Sequence, residues 1–395
     1  MGNLKTKASV FVISALLAAG VSANAVETAP ILAVGIDTKF GFDDRGGRVF
    51  KPDTGDSIQF FDLTNPAAPK LIGGVPMTNS VVGPPTNLAI APDGKWALVA
   101  NSIRTEAGTD GVWKSVPDNK VFLIDLVSRP IRIKQTIEVG VQPSGLAIRA
   151  DGAMAIVANR AGKSVSVLKI VDGEVAVTDT IPMDEAATSV AFTPDGRRAL
   201  VDIYGAHKVT ILDIDGDHAR PTGRSVPVGL WPYTVTVTLD GHYGLAGITG
   251  NQAASDGNLD PIAVIDLQAT PPRTVDYVTA GDSVEGLVVS PKGGYVAATI
   301  LQGSLDAPKD AWYRHEHGKV LLLRQTDQGV QVVNGVEVGA FPEGVAFSPD
   351  GEWIYAGNFG SNSLSVLHLD HGRLVNTNAD IALPGPAASL RVGSQ

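Results

Sequence analysis

Three features of the sequence predict an all-β fold: a seven-bladed β-propeller of four-stranded antiparallel blades in one domain. Turn glycines at Gly94, Gly152, Gly196, Gly241, Gly293 and Gly351 recur at spacings of 58, 44, 45, 52 and 58 residues. One alternating apolar run appears seven times, from SIQFFDL (57–63) to SLSVLHL (363–369). An unmatched strand-like run remains at each end of the chain, ILAVGI (31–36) and PGPAASLRV (384–392). A period near 40–50 residues with short alternating runs is the signature of propeller blades.

The chain starts with a segment outside that pattern. Lys5 and Lys7 precede an apolar run, ASVFVISALLAAGV (8–21), and Ala23-Asn24-Ala25 fits a small-residue cleavage site. This is the pattern of a secretory signal peptide over 1–25, too short to span a bilayer. The propeller domain then occupies 26–395, with cleavage near Ala25-Val26 and a periplasmic or secreted location. No second apolar stretch of spanning length follows.

Composition narrows the chemistry. The chain has no cysteine, which excludes a disulfide framework, thiolate metal ligands and a cysteine nucleophile. The formal net charge is −10 and becomes −12 once Lys5 and Lys7 leave with the signal peptide. An acidic surface argues against nucleic acid and anionic membranes as partners.

Each repeat holds four apolar runs. The first follows a proline or small residue, as in GLAI (145–148) and GVAF (344–347). A glycine turn leads to the second, ALVAN (97–101) or WIYAGN (353–358), then the recurrent third, then a fourth such as QTIEVG (135–140). Alternation and β-branched residues make these strands. Proline presets φ where the strand begins, and the Pro-Asp-Gly turn supplies the left-handed residue that a tight hairpin needs. The two unmatched runs complete the seventh blade, so the ring closes on strands from both ends and leaves no open ladder.

The stretch PSGLAIRADGAMAIVANRAGKSVSVLKI (143–170) resembles the YVTN-type repeat of surface-layer and periplasmic propellers, and of the related lactonase-like propellers. Repeats beginning at 85, 143 and 342 fit it well, those at 187 and 232 less so, the others weakly. The resemblance implies the seven-bladed ring. It implies no single activity, because such propellers include sugar-lactone hydrolases, muconate-cyclising enzymes, nucleic-acid binders and proteins of unknown role.

Departures from the repeat locate the candidate site. Three connections between second and third strands are four residues long (160–163, 204–207, 359–362), whereas 37–56, 102–119, 249–260 and 301–318 are long. All open on one face, in two neighbouring pairs expected to form two walls flanking a cleft over the axis. Long loops of this kind carry function. At the start of two adjacent innermost strands stand Glu285 and Glu343, where the other repeats have Thr86, Ser144, Thr188, Tyr233 and Ala387. The 301–318 loop adds Trp312, Tyr313, His315 and His317; the opposite wall adds Arg45, Arg48, Arg104 and Trp113.

The expected catalytic set is therefore Glu285, Glu343, His315 and His317: paired carboxylates for acid–base work, or ligands with the imidazoles for a divalent cation. The bland alternative is a pair of turn-capping glutamates beneath a solvated loop. Arg45, Arg48, Arg104, Trp113, Tyr233, Trp312 and Tyr313 are the candidates for ligand contact, cations and aromatics suited to an anionic or ring-bearing molecule. GDSV (281–284) lacks the strand–helix elbow of a serine hydrolase, and DIDGDH (213–218) lacks the last carboxylate of a calcium loop. The leading expectation is an exported propeller that binds a small anionic ligand or a periplasmic protein on its long-loop face. The alternatives are a lactonase-like enzyme hydrolysing or isomerising a lactone or sugar acid, with or without a metal cofactor, and a docking subunit for a periplasmic redox enzyme.

Overall fold

Seven four-stranded antiparallel sheets are arranged by the chain in sequence order, and one of them draws strands from both chain ends. The computed structural model describes residues 1–2, 29–80, 82–252 and 255–393, so the apolar run and cleavage site of the expected signal peptide lie outside the described residues. Blade 1 contains Ile31–Ile36, hydrogen-bonded on one side to Ala387–Val392 and on the other to Ser57–Asp62, with Lys70–Pro76 outermost. Blades 2 to 7 begin at Leu88, Pro143, Ala187, Pro232, Val284 and Pro342. The closure expected from the sequence is thus present, and both ladder edges that an open ring would expose are paired.

Alternation fills the seams between blades. Leu98 and Val121 of blade 2 meet Leu146 and Val157 of blade 3, all buried. Fully burying one such side chain contributes about 1.5–3 kcal/mol, and each seam repeats the arrangement. Among the described residues, no helix is long and apolar enough to cross a membrane.

The long loops differ in kind. The 102–119 segment is a continuation of the sheet, because strands Trp96–Ala107 and Trp113–Asp125 run past the blade as a ribbon. The 37–56 segment holds a two-stranded hairpin, Phe40–Phe42 paired with Arg48–Phe50. This hairpin and the 301–318 loop are not separated by an open cleft. They meet: Lys309 Nζ lies 2.7 Å from Asp44, and the Lys309 N–H donates to the Asp44 carbonyl at 3.1 Å. Only blade 7 stands between them, and Phe359, which begins its short 359–362 turn, packs against Phe40 of the hairpin with ring centroids 5.6 Å apart.

Candidate active site

Backbone geometry aims the site. The residue before several innermost strands has positive φ: Gln142 (59°), Trp231 (62°), Ser283 (62°) and Phe341 (51°). Such left-handed non-glycine residues carry strain and concentrate at functional sites. The first turn of each strand then carries a β-bulge, between Val284 and Leu287 in blade 6 and between Pro342 and Val345 in blade 7. A bulge re-aims the side chain it contains. Here it points Tyr233, Glu285 and Glu343 into the axial mouth, where all three line one recess.

Other elements roof that recess. The hairpin brings Phe40, Phe42 and Arg48; the short turns of blades 3 and 4 bring Arg160 and Tyr204; the 301–318 loop brings Leu301 and Asp306. Thr249, Asn251 and Gln252 form one wall, with Ser283 and Phe341 beside the glutamates. The Arg160 guanidinium stands 4.9 Å from the Tyr204 ring centroid, and Tyr204 packs 5.7 Å from Tyr233.

The hairpin rests on a buried ionic clamp. Lys39 is fully buried and bonds Asp37 at 3.1 Å, Asp56 and the Asn79 carbonyl. Ser80 Oγ donates to Asp37 and Thr38 N–H to Asp56, each at 2.8 Å. Burial alone would lower the Lys39 pKa, but Asp37 and Asp56 outweigh it and raise the value. Asp37 and Asp56 stand at the two ends of the loop, so the clamp fixes both feet of the hairpin that carries Arg48.

The two glutamates are almost sealed from solvent, 8% exposed for Glu285 and 4% for Glu343. Burial raises the Glu285 pKa to about 8, with Asp306 adding to the rise and Arg48, Arg160 and Ser283 opposing it. Burial, then the charges of Glu285 and Asp37, hold Glu343 well above the usual carboxylate range. Asp306 is also raised by burial, while the Ser255 N–H, 2.7 Å away, favours its charged form. Glu343 Oε2 and Asp306 Oδ1 are buried with no hydrogen-bond partner among the described residues. Unpaired buried acceptors of this kind are costly, and a ligand that donates hydrogen bonds relieves them.

Of the sequence candidates, Glu285, Glu343, Arg48 and Tyr233 come together in the recess. His315, His317 and Trp312 are exposed and do not line it. The loop instead turns Leu301 and Asp306 inward, and His315 N–H and the His317 carbonyl are held by Gln302 at 3.2 and 3.1 Å. Tyr313 packs against Gly257, Arg45 is exposed, and Arg104 pairs with Glu106 on the ribbon beside half-buried Trp113. Among the described residues, no group of three or more histidine and acidic side chains is arranged to hold a metal ion. Sequence reasoning missed Arg160, Tyr204 and Asp306. The first two begin four-residue turns, where loop length gives no signal. Ser283, within the dismissed GDSV stretch, also lines the recess, where its side chain hydrogen-bonds Glu285 rather than forming part of a hydrolase elbow.

No protein-family model and no curated protein sequence matches the chain. The likeness is to solved structures and concerns the fold. A Bacteroides fragilis protein provisionally assigned as a 6-phosphogluconolactonase superposes with a TM-score of 0.67 at 17% identity, over 93% of this chain and 99% of that one. The Pseudomonas aeruginosa periplasmic gluconolactonase gives 0.61 at 19% identity, with the same coverage. A Desulfotomaculum acetoxidans protein of unknown function gives 0.68 at 15%, again over 93% and 99%. The chain therefore shares a seven-bladed ring with lactonase-like propellers and with propellers of no assigned role.

Proposed function

We propose that the protein is an exported enzyme that opens or isomerises a small hydroxylated lactone or sugar acid in the axial recess. The observation that carries this reading is the pairing of Glu285 and Glu343, two buried carboxyls on adjacent strands, flanked by Arg48 and Arg160. Neighbouring carboxyls whose environments push their pKa values apart divide into a base and an acid. Lactonase activity in the names of two proteins of like fold supports the substrate class. The exported location rests on the leader-like N-terminus.

For a lactone the steps balance simply. Glu285, in its charged form, takes a proton from a water whose oxygen attacks the lactone carbonyl. Arg48 or Arg160 stabilises the oxyanion that develops. As the ring C–O bond breaks, Glu343 gives its proton to the departing alkoxide, leaving a hydroxy acid. The unpaired oxygens of Glu343 and Asp306 accept from the hydroxyls of the bound molecule, and the Phe40, Phe42 and Phe341 rings keep bulk water out.

The test is hydrolysis of sugar-acid lactones by purified protein, followed as acid release. Glu285→Gln and Glu343→Gln should each lower the rate about 10²–10⁴-fold, the usual worth of a positioned acid or base. Thermal-shift titration with the same lactones separates binding from turnover. Lactone turnover unaffected by either substitution, or a protein neither stabilised by nor active on any such compound, overturns the reading.

A further inference from the structure

Tyr233, Glu285 and Glu343 occupy one equivalent place on three neighbouring innermost strands, Pro232–Val237, Val284–Val289 and Pro342–Phe347. Each sits in the bulge of its strand, and all three line the recess. In strand order Glu285 stands in the middle, with a phenol on one flank and the second carboxyl on the other. The charges of both glutamates act on that phenol, and so does the charge of Arg160.

Of the two tyrosines that line the recess, Tyr204 has its hydroxyl committed, donating to the Gln252 carbonyl at 2.8 Å. The Tyr233 hydroxyl has no hydrogen-bond partner among the described residues. Its ring is backed by Tyr204, 5.7 Å away, and the Arg160 guanidinium stands 4.9 Å from the Tyr204 centroid. Burial, then the charge of Glu285, hold the Tyr233 pKa well above the ordinary phenol range. The side chain therefore meets a ligand as a neutral O–H donor.

Opening a lactone puts three oxygens on one tetrahedral carbon: the attacking water, the former carbonyl oxygen and the ring oxygen. Each needs a different partner. We propose, resting on the hydrolytic reading of this recess, that Tyr233 is a catalytic residue whose hydroxyl donates to the developing oxyanion. Glu285 takes a proton from the attacking water, and Glu343 protonates the departing ring oxygen. The flank left for the carbonyl oxygen is that of Tyr233. No proton leaves the phenol; its hydrogen bond strengthens as the carbonyl oxygen gains charge. Arg160, stacked on Tyr204, adds positive charge on the same side. After release, the proton gained by Glu285 returns to Glu343 through water, which balances the cycle.

Tyr233→Phe removes the hydroxyl and keeps the ring. In gluconolactone hydrolysis its kcat should fall about 10²–10³-fold, the worth of one oxyanion donor, with KM unchanged. The melting temperature should not move, since no described residue bonds the hydroxyl. Titration calorimetry with gluconolactam, a carbonyl acceptor whose ring resists opening, reads the contact without turnover. Wild type should bind it, and Tyr233→Phe should bind it about tenfold more weakly. That weakening in a protein that opens no lactone ends the hydrolytic reading and upholds the phenol as the carbonyl's partner. A kcat that survives Tyr233→Phe, or lactam binding indifferent to the substitution, overturns the role of Tyr233 and leaves the glutamate pair standing.

Discussion

The Thr299 hydroxyl donates to the backbone carbonyl of Glu343 at 2.7 Å, and the same oxygen accepts the Gly286 N–H at 2.7 Å. One side chain thus ties the strand that carries Glu285 to the strand that carries Glu343. Glycine is required at 286, since a Cβ there would stand 2.4 Å from that carbonyl. At the equivalent position the other blades have Gly35, Ala100, Ala158, Asp202, Gly247 and Gly357, none with a hydroxyl. The latch occurs between the two glutamate-bearing blades. The spacing of the carboxyl pair is therefore set by backbone and one threonine, not by the loops above.

Replacing Thr299 with valine keeps the shape and removes both bonds. The buried Gly286 N–H and Glu343 carbonyl lose this partner, at a cost of about 1–3 kcal/mol. Urea unfolding should show that loss, and lactone turnover should fall with it. An unchanged midpoint would mean that the two strands are held by other contacts.

Lys39→Met tests the clamp under the hairpin. It leaves Asp37 and Asp56 buried without their cation, and breaking such a pair typically costs about 3–5 kcal/mol. Because Arg48 rides on the hairpin, ligand-induced stabilisation should drop more than folding stability alone accounts for. Thermal melts with and without ligand measure both.

The ring was legible because every blade repeats a period-two pattern, and the Glu285–Glu343 pair was legible because it breaks that pattern. What happens above the strands was not. A loop's length says that it departs from a hairpin, not which way it turns: 301–318 presents Asp306 inward and His315 outward. The 102–119 segment looked like a loop because its polar residues hide a ribbon that is solvated on both faces. Arg160 reaches the recess from a four-residue turn, since near the axis even a short turn overlooks the mouth.

Asp202 is a buried carboxyl that the proposed chemistry does not use. Both its oxygens lack a partner among the described residues, and burial holds its pKa well above the usual range. Blades 2 and 3 have alanine at this place. Asp202→Ala should stabilise the fold by about 1–3 kcal/mol at pH 7, the cost of an unsatisfied buried group, less any small cavity left behind. A rise in urea midpoint checks it; a fall would show that the carboxyl has a stabilising partner.

Stability should fall as the pH rises from 5 to 8. Burial lifts Asp260 to about 7 and Glu285 to about 8 in the folded chain. Unfolded, both titrate near about 4. Between those limits the folded state holds protons that the unfolded state has released, so each unit of pH favours unfolding. Carboxyls held low by hydrogen bonds, such as Asp125 and Asp195, titrate below this window and do not offset the trend. Melting temperatures across the range, compared with Glu285→Gln, should show a decline that the variant flattens.

The account turns on one proton equilibrium, and carbon-13 NMR of protein labelled at the glutamate carboxyls measures it directly. A single resonance should titrate near pH 8 and vanish in Glu285→Gln, while a second, absent in Glu343→Gln, stays protonated to higher pH. If every glutamate titrates between about 4 and 5, as in model peptides, the recess holds two ordinary carboxylates and no acid–base pair.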